Sequence, residues 1–170
     1  MLLNKEKIRD LYRIHLKEWQ ASLLLLPVCL YFVLNRGDYT LLDTADLIIH
    51  EAGHFFLLPF GPFLRVAGGT LMQIILPTLF VWSFYAHDYR FGTQMSLFWL
   101  GHNFINISVY AADARARVLP LLGGDKAGHD WAIMLGMLDL LEYDQVVGGF
   151  FYALAMLTFG VLLILPRYML

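Results

Sequence analysis

The chain has 170 residues, of which 59% are hydrophobic and 15% are charged, and its mean hydropathy is +0.60. A soluble domain usually carries about a quarter charged residues, so this composition predicts an integral membrane protein with one compact domain. The net charge of −2 gives no indication of nucleic-acid binding, and the single cysteine, Cys29, excludes both a disulfide framework and a thiolate zinc site.

The N-terminal residues 1–20 interleave charged and apolar side chains, which predicts an amphipathic helix lying on the membrane surface. The apolar run from Ala21 to Leu34 is short by itself, but it becomes long enough to cross when it continues back through Trp19 and Leu16. The basic flank before it places the N-terminus in the cytoplasm by the positive-inside rule, as in a bacterial inner membrane. Residues 21–170 then form a single membrane-embedded domain.

A second helix should follow an acidic loop in which Asp43, Thr44 and Asp46 are candidate N-caps. This helix should extend to about Leu58, where a Pro-Phe-Gly-Pro run ends it. With about 15 residues it is short for a ~30 Å hydrocarbon core, so it either crosses or turns back as a re-entrant segment.

Four further segments complete the predicted all-α fold. Spans are expected at 68–86 and 92–122, and a last span is expected at 146–165. Between them, a short helix should follow the His129-Asp130 pair and cover 131–143. The prediction is a polytopic membrane helical bundle with about four full spans. It also contains the short, possibly re-entrant helix that ends at about Leu58 and a second short helix that begins with a His-Asp pair.

The most informative motif is His50-Glu51-Ala52-Gly53-His54, an HExxH sequence within an apolar helix. Residues i and i+4 lie on one face of a helix, so both imidazoles can reach one metal ion, and Glu51 can handle the proton of a metal-bound water. Zinc is the expected metal, because imidazole nitrogens suit it and catalytic zinc sites usually have three protein ligands and a water. Ionisable groups in a membrane helix are costly, which also favours a functional role.

Two histidines require a third ligand, for which the sequence offers several candidates. Asp130 is the first choice, since it lies at a helix start beside His129, and a His-Asp pair offers a ligand and a second-shell partner side by side. His129 and His102 are the alternatives, and His87 and Asp113 are weaker candidates. A re-entrant motif helix would favour Asp130, whereas a fully crossing helix would favour His102. Asp130 could instead simply cap its own helix.

Several polar residues of the predicted spans could contact the substrate or stabilise an oxyanion. Arg115 could serve as an oxyanion donor, although it could equally pair with Asp113. The other candidates are Asn103, Asn106 and Gln73, each of which could instead hydrogen-bond between helices.

The HEAGH sequence in a hydrophobic helix, the Gly68-Gly69-Thr70 segment after it, and the later Asp at a helix start resemble the site-2 protease family of intramembrane zinc metalloproteases. The resemblance implies that His50 and His54 bind zinc and that Glu51 is the general base. In that family the third ligand is an Asp in a Leu-Asp-Gly context after an Asn-Pro-type signature, which this chain lacks. Leu138-Asp139-Leu140 is the nearest string.

The sequence therefore predicts an intramembrane zinc metalloprotease that acts on a membrane-embedded peptide. Two other classes stay open: a membrane zinc hydrolase that acts on a lipid or small amphiphile, and a non-enzymatic membrane protein with a structural, sensing or transport metal site. The expected partners are membrane lipids and the peptide substrate.

Overall fold

The structure, a computed structural model, describes residues 18–120 and 128–169. The predicted surface helix of residues 1–20 lies almost entirely outside the described residues. Within the described ranges all regular elements are helical, which confirms the predicted all-α class. The α-helices are α1 Gln20–Leu34, α2 Leu41–Leu57, α3 Pro62–Ala86, α4 Arg90–Ala112, α5 Asp130–Met137 and α6 Asp144–Ile164. Short 3₁₀ turns cover Leu58–Phe60, Leu141–Tyr143 and Leu165–Arg167.

Helix α4 is the centre of the bundle: it packs along both α3 and α6 and also contacts α1 and α5. Its contact with α6 includes the stacked rings of Phe98 and Phe159, whose centroids are 6.0 Å apart. Ile107 and Leu162 are almost completely buried in the same core. This packing supports the outer pair α2 and α3, which carries the HExxH motif.

Helices α2 and α3 approach each other closely at two glycines. A Cβ at Gly53 would overlap the carbonyl oxygen of Gly68, and a Cβ at Gly68 would overlap that of Gly53. Gly69, next in α3, leaves room for the imidazole of His50, because a Cβ there would overlap the ring. The glycine of the HEAGH sequence therefore lets the motif helix lie against its neighbour, as small residues do in membrane helix packing.

Four predicted helix boundaries were wrong, two at helix starts and two at helix ends. The cap of α2 is Thr40, which precedes all three candidates, and Asp43 is its partner because its carboxylate accepts hydrogen bonds from the Thr40 amide and hydroxyl, both at 2.7 Å. Helix α3 starts at Pro62 and not at residue 68, since proline is well suited to the first helical turn.

Helix α4 ends at Ala112, ten residues before the predicted end at 122. The Asp113 carboxylate accepts the amide protons of Val118 and Leu119, both at 3.0 Å, and Arg117 adopts a φ of +50°, which a continuing helix does not allow. Helix α5 similarly ends at Met137 and not at 143, because Asp139 has a φ of +57°.

Two segments of the described chain, Pro62–Ala86 and Leu141–Arg167, are long and apolar enough to cross a membrane. The prediction named about four such spans. Helix α1 is apolar but has only 15 residues, and α4 carries buried polar side chains along much of its length.

Candidate metal centre

Three side chains from two distant parts of the chain meet at one point. The Nε2 atoms of His50 and His54 lie 2.9 Å and 3.2 Å from the same carboxylate oxygen, Oδ2 of Asp130. Within the described residues this is the one group of three or more His, Cys, Asp or Glu side chains whose ligand atoms all lie within 4.8 Å of one another. His50 is buried, and the side chains of His54 and Asp130 are 21% and 13% exposed, so the group is open to solvent on one side.

The outer nitrogen of each imidazole is held by a hydrogen-bond acceptor. The Nδ1 atom of His54 lies 2.8 Å from the backbone carbonyl oxygen of Arg65, which can only accept, so the Nδ1 atom must carry the proton. The Nδ1 atom of His50 lies 2.8 Å from the side-chain oxygen of Gln73. In its neutral form, each imidazole therefore directs an Nε2 lone pair at Asp130.

With both rings neutral in this tautomer, the two Nε2 atoms and Asp130 Oδ2 are three acceptors that face one another, an arrangement that a bound cation stabilises. A proton on one Nε2 would satisfy only one of the two contacts with Asp130. Protons on both would place two imidazolium rings 4.8 Å apart, measured between centroids. A divalent ion would satisfy all three atoms at once, and His₂Asp is a donor set suited to zinc. In a tetrahedral zinc site, ligand atoms are about 3.3–3.5 Å apart, slightly more than the two contacts measured here. The residues therefore fit zinc.

Asp130 is the first residue of α5, and His129 caps that helix by accepting the amide proton of Ala132 at its Nδ1 atom, 3.3 Å away. Asp130 is thus not the cap. Its backbone N–H donates to the hydroxyl of Tyr110 at 3.0 Å, and that hydroxyl lies 3.4 Å from Oδ2. Burial acts to raise the pKa of Asp130, but the two imidazoles beside it, which donate to the carboxylate whenever they carry a proton at Nε2, bring it below its ordinary value. The carboxylate is therefore ionised and fixed at neutral pH.

Glu51 is exposed beside this group, on the wall of a cavity of about 730 Å³ that also contains His50, His54 and Asp130. It makes no hydrogen bond or ion pair with another described residue. A carboxylate with unoccupied oxygens in a cavity can accept a proton from a water molecule.

The other candidate ligands lie elsewhere. His102 is buried on α4 and faces Asp46 and Asp43, with Nδ1 2.9 Å from Asp46 Oδ2 and Nε2 3.6 Å from Asp43 Oδ1. His129 directs Nε2 toward Asp113 at 3.4 Å, and burial lowers its pKa, so the ring is neutral. His87 lies at the end of α3 and contacts the carbonyl of Ser83. None of the three reaches the His50–His54 pair.

Arg115 does not line the cavity, so the structure does not support its predicted oxyanion role. Its guanidinium lies 2.7 Å from Asp144 Oδ1 at the start of α6, which also shows that its partner is not Asp113. Gln73, Asn103 and Asn106 lie together behind His50, where the Gln73 amide nitrogen is 3.1 Å from Asn103 Oδ1 and 3.3 Å from Asn106 Oδ1. Gln73 and Asn106 line the same cavity as Glu51, and all three amides make hydrogen bonds with protein groups.

Sequence reasoning missed three contributors to this centre: Tyr110, the carbonyl of Arg65, and the buried pair Asp43 and Asp46. A backbone carbonyl leaves no signal in side-chain identity. Tyr110 stands seven residues after Asn103, which places it on a neighbouring face of the same helix and was the one available signal.

Comparison with known proteins gave no match: no family model, no curated protein and no solved structure matches the chain. The functional assignment therefore depends on the chemistry of the site.

Proposed function

We propose that the chain is an intramembrane zinc metalloprotease that hydrolyses a peptide bond, with Glu51 as general base and His50, His54 and Asp130 as zinc ligands. The observation that carries this proposal is the convergence of two Nε2 lone pairs on one carboxylate oxygen beside Glu51. The three-ligand set leaves a fourth position for water, as catalytic zinc sites require.

When bound, the zinc ion would supply Lewis-acid polarisation of a water molecule and of the scissile carbonyl group. The Glu51 carboxylate takes the proton that the attacking water loses and returns it to the nitrogen of the leaving amine, as the C–O bond forms and the C–N bond breaks. Tyr110 holds the backbone of Asp130, and the Arg65 carbonyl holds the ring of His54. A helical substrate must unwind locally, because its backbone groups are otherwise satisfied within the helix.

The membrane location forms part of the proposal. Large apolar side chains are exposed along the whole of α6, among them Val146, Phe150, Leu157 and Val161. Helix α3 exposes Leu79 and Trp82 in the same way. A continuous apolar surface of this kind is suited to lipid and not to water. We place the chain in a bacterial-type inner membrane with a cytoplasmic N-terminus, where lipids surround α3, α6 and the helices packed against them.

The test is hydrolysis by the purified, zinc-loaded protein in detergent micelles, with a fluorescent transmembrane peptide and a phospholipid as parallel substrates. We expect cleavage of the peptide, and a decrease in kcat of about 10²- to 10⁴-fold in Glu51→Gln with zinc retained. Glu142→Gln, an exposed acid outside the cavity wall, is the matched control and should cleave normally.

Three results would count against the proposal. Cleavage of the phospholipid alone would replace the protease by a lipid hydrolase. Zinc binding without hydrolysis of either substrate would favour a non-enzymatic metal site. Full activity in Glu51→Gln would remove Glu51 as the base.

A further inference from the structure

A buried hydrogen-bond network connects His50 to two aspartates that do not touch the metal centre. Asn103 Nδ2 lies 3.2 Å from Asp46 Oδ1, and Asn106 Nδ2 lies 2.9 Å from Asp43 Oδ1. Both asparagines present their Oδ1 atoms to the Gln73 amide nitrogen, and the Gln73 oxygen faces His50 Nδ1 at 2.8 Å. Four of these side chains are almost completely buried: Gln73 at 2%, Asn103 at 1%, Asp46 at 0% and His50 at 6% exposure.

The two aspartates at the end of the network farthest from His50 determine which group donates in every hydrogen bond. An ionised carboxylate only accepts, so each asparagine must direct its amino group toward its aspartate and its oxygen toward Gln73. Gln73 must then direct its amino group toward the asparagines, which leaves its oxygen for His50. An oxygen acceptor at Nδ1 requires the proton there and leaves the lone pair on Nε2.

Both aspartates also accept hydrogen bonds from donors on their other sides. Asp46 receives the indole N–H of Trp99 at 2.7 Å and faces His102 Nδ1 at 2.9 Å. Asp43 receives the amide and hydroxyl protons of Thr40. Because both carboxylates are surrounded by donors, neither can donate a proton to its asparagine, and the donor–acceptor order of the network stays as described.

We propose that Asp43 and Asp46, acting through Asn103, Asn106 and Gln73, fix the tautomer of His50 that binds the metal. These five are positioning residues: they set metal affinity without contact with metal or substrate. The inference rests on the proposed zinc site and adds the device that holds His50 ready for it. Partners of this kind around metal-binding histidines typically change metal affinity about 10- to 100-fold.

The test compares two buried glutamines. Gln73→Leu removes the acceptor at His50 Nδ1, whereas Gln94→Leu removes an equally buried amide that instead contacts Ser22 and the Leu162 carbonyl. We expect zinc affinity, measured by chelator competition, to fall about 10- to 100-fold in Gln73→Leu and to stay unchanged in Gln94→Leu. Asn106→Leu, at a half-buried position, should show a smaller loss in the same direction and serves if Gln73→Leu does not fold.

A second readout needs no metal. Nitrogen-15 chemical shifts of the zinc-free protein distinguish the two neutral tautomers, and we expect His50 to carry its proton at Nδ1 in the wild type and to lose that preference in Gln73→Leu. Unchanged zinc affinity and an unchanged tautomer in Gln73→Leu would overturn the inference, as would equal losses in Gln73→Leu and Gln94→Leu. If the wild-type protein binds no zinc at all, the proposed function fails, and the tautomer measurement still decides the inference.

Discussion

Two histidine–aspartate clusters each take two members from α2 and one from another helix, and they differ in how their hydrogen bonds are satisfied. In the cluster of Asp43, Asp46 and His102, indole, amide, hydroxyl and imidazole N–H or O–H groups surround the two carboxylates. In the cluster of His50, His54 and Asp130, three acceptors face one another without a donor between them. The first cluster is satisfied by protein groups alone, whereas the second has the geometry that a bound cation would satisfy. Residue types alone do not separate the two; the positions of the protons do.

The same Asp→Asn exchange should therefore have opposite effects in the two clusters, and this is the largest effect we expect. Asp46→Asn puts an amide in place of a fully buried carboxylate that accepts from Trp99 and Asn103 and faces His102, and each buried donor left unsatisfied costs about 1–3 kcal/mol. Asp130→Asn in the zinc-free protein supplies an amide donor to the two Nε2 atoms, so stability should hold or increase. Thermal unfolding in detergent measures both, and a similar loss in both variants would contradict the distinction.

Zinc binding should depend on the cluster of His50, His54 and Asp130 and not on the cluster of Asp43, Asp46 and His102. Asp130→Ala should abolish stoichiometric zinc binding, because two imidazoles alone do not complete the site. His102→Gln should keep one zinc per chain, since His102 does not reach the His50–His54 pair. Metal analysis of the purified variants gives the answer, and loss of zinc in His102→Gln with the fold intact would show that the second cluster takes part in binding.

The pH dependence of zinc binding should show that two protons, one from each imidazole, are released when zinc binds at low pH. Histidines must be neutral to bind, so zinc affinity should fall with falling pH, by about 100-fold per pH unit once both imidazoles are protonated in the metal-free protein. The hydrogen bond with Asp130 raises the pKa of His54 above its ordinary value, so the loss should begin at a higher pH than for a free imidazole. Asp130 should not contribute in this range, because its pKa lies below its ordinary value and it stays ionised as the histidines protonate. Chelator competition between about pH 5 and 8, a range that brackets the ordinary histidine pKa, measures the change of zinc affinity with pH. A slope of one proton would mean that only one imidazole binds.

A smaller effect should follow from a methyl group placed beside His50. Gly69→Ala puts a Cβ into the imidazole ring, and overpacking of this kind costs about 1–3 kcal/mol. The ring must leave its present position beside Asp130 Oδ2, so zinc affinity should fall while the Asp46–His102 contact persists. Gly149→Ala is the control, since a Cβ there meets nothing within 4 Å. Equal zinc affinity in both variants would show that the ring position is not critical.

The sequence predicted the helical class and the pairing of His50 with His54 on one helix face, because i,i+4 spacing is a local property of one helix. It placed Asp130 first among the third-ligand candidates but could not exclude His102. That choice depends on the path of the chain between His50 and Asp130, which are 80 residues apart, and on the donors that surround Asp46. The early end of α4 was missed for a similar reason: the Asp113 carboxylate captures two later amides, and a hydropathy pattern contains no such information.

X-ray absorption at the zinc edge of the zinc-loaded protein tests the central claim most directly. The account predicts two imidazole nitrogens and two oxygens, one from Asp130 and one from water, at about 2.0–2.2 Å. The spectrum of Asp130→Asn should lose the carboxylate contribution, and that of Asp46→Asn should not. Three imidazole ligands on the zinc ion, or a correctly folded protein that binds no zinc, would contradict this prediction.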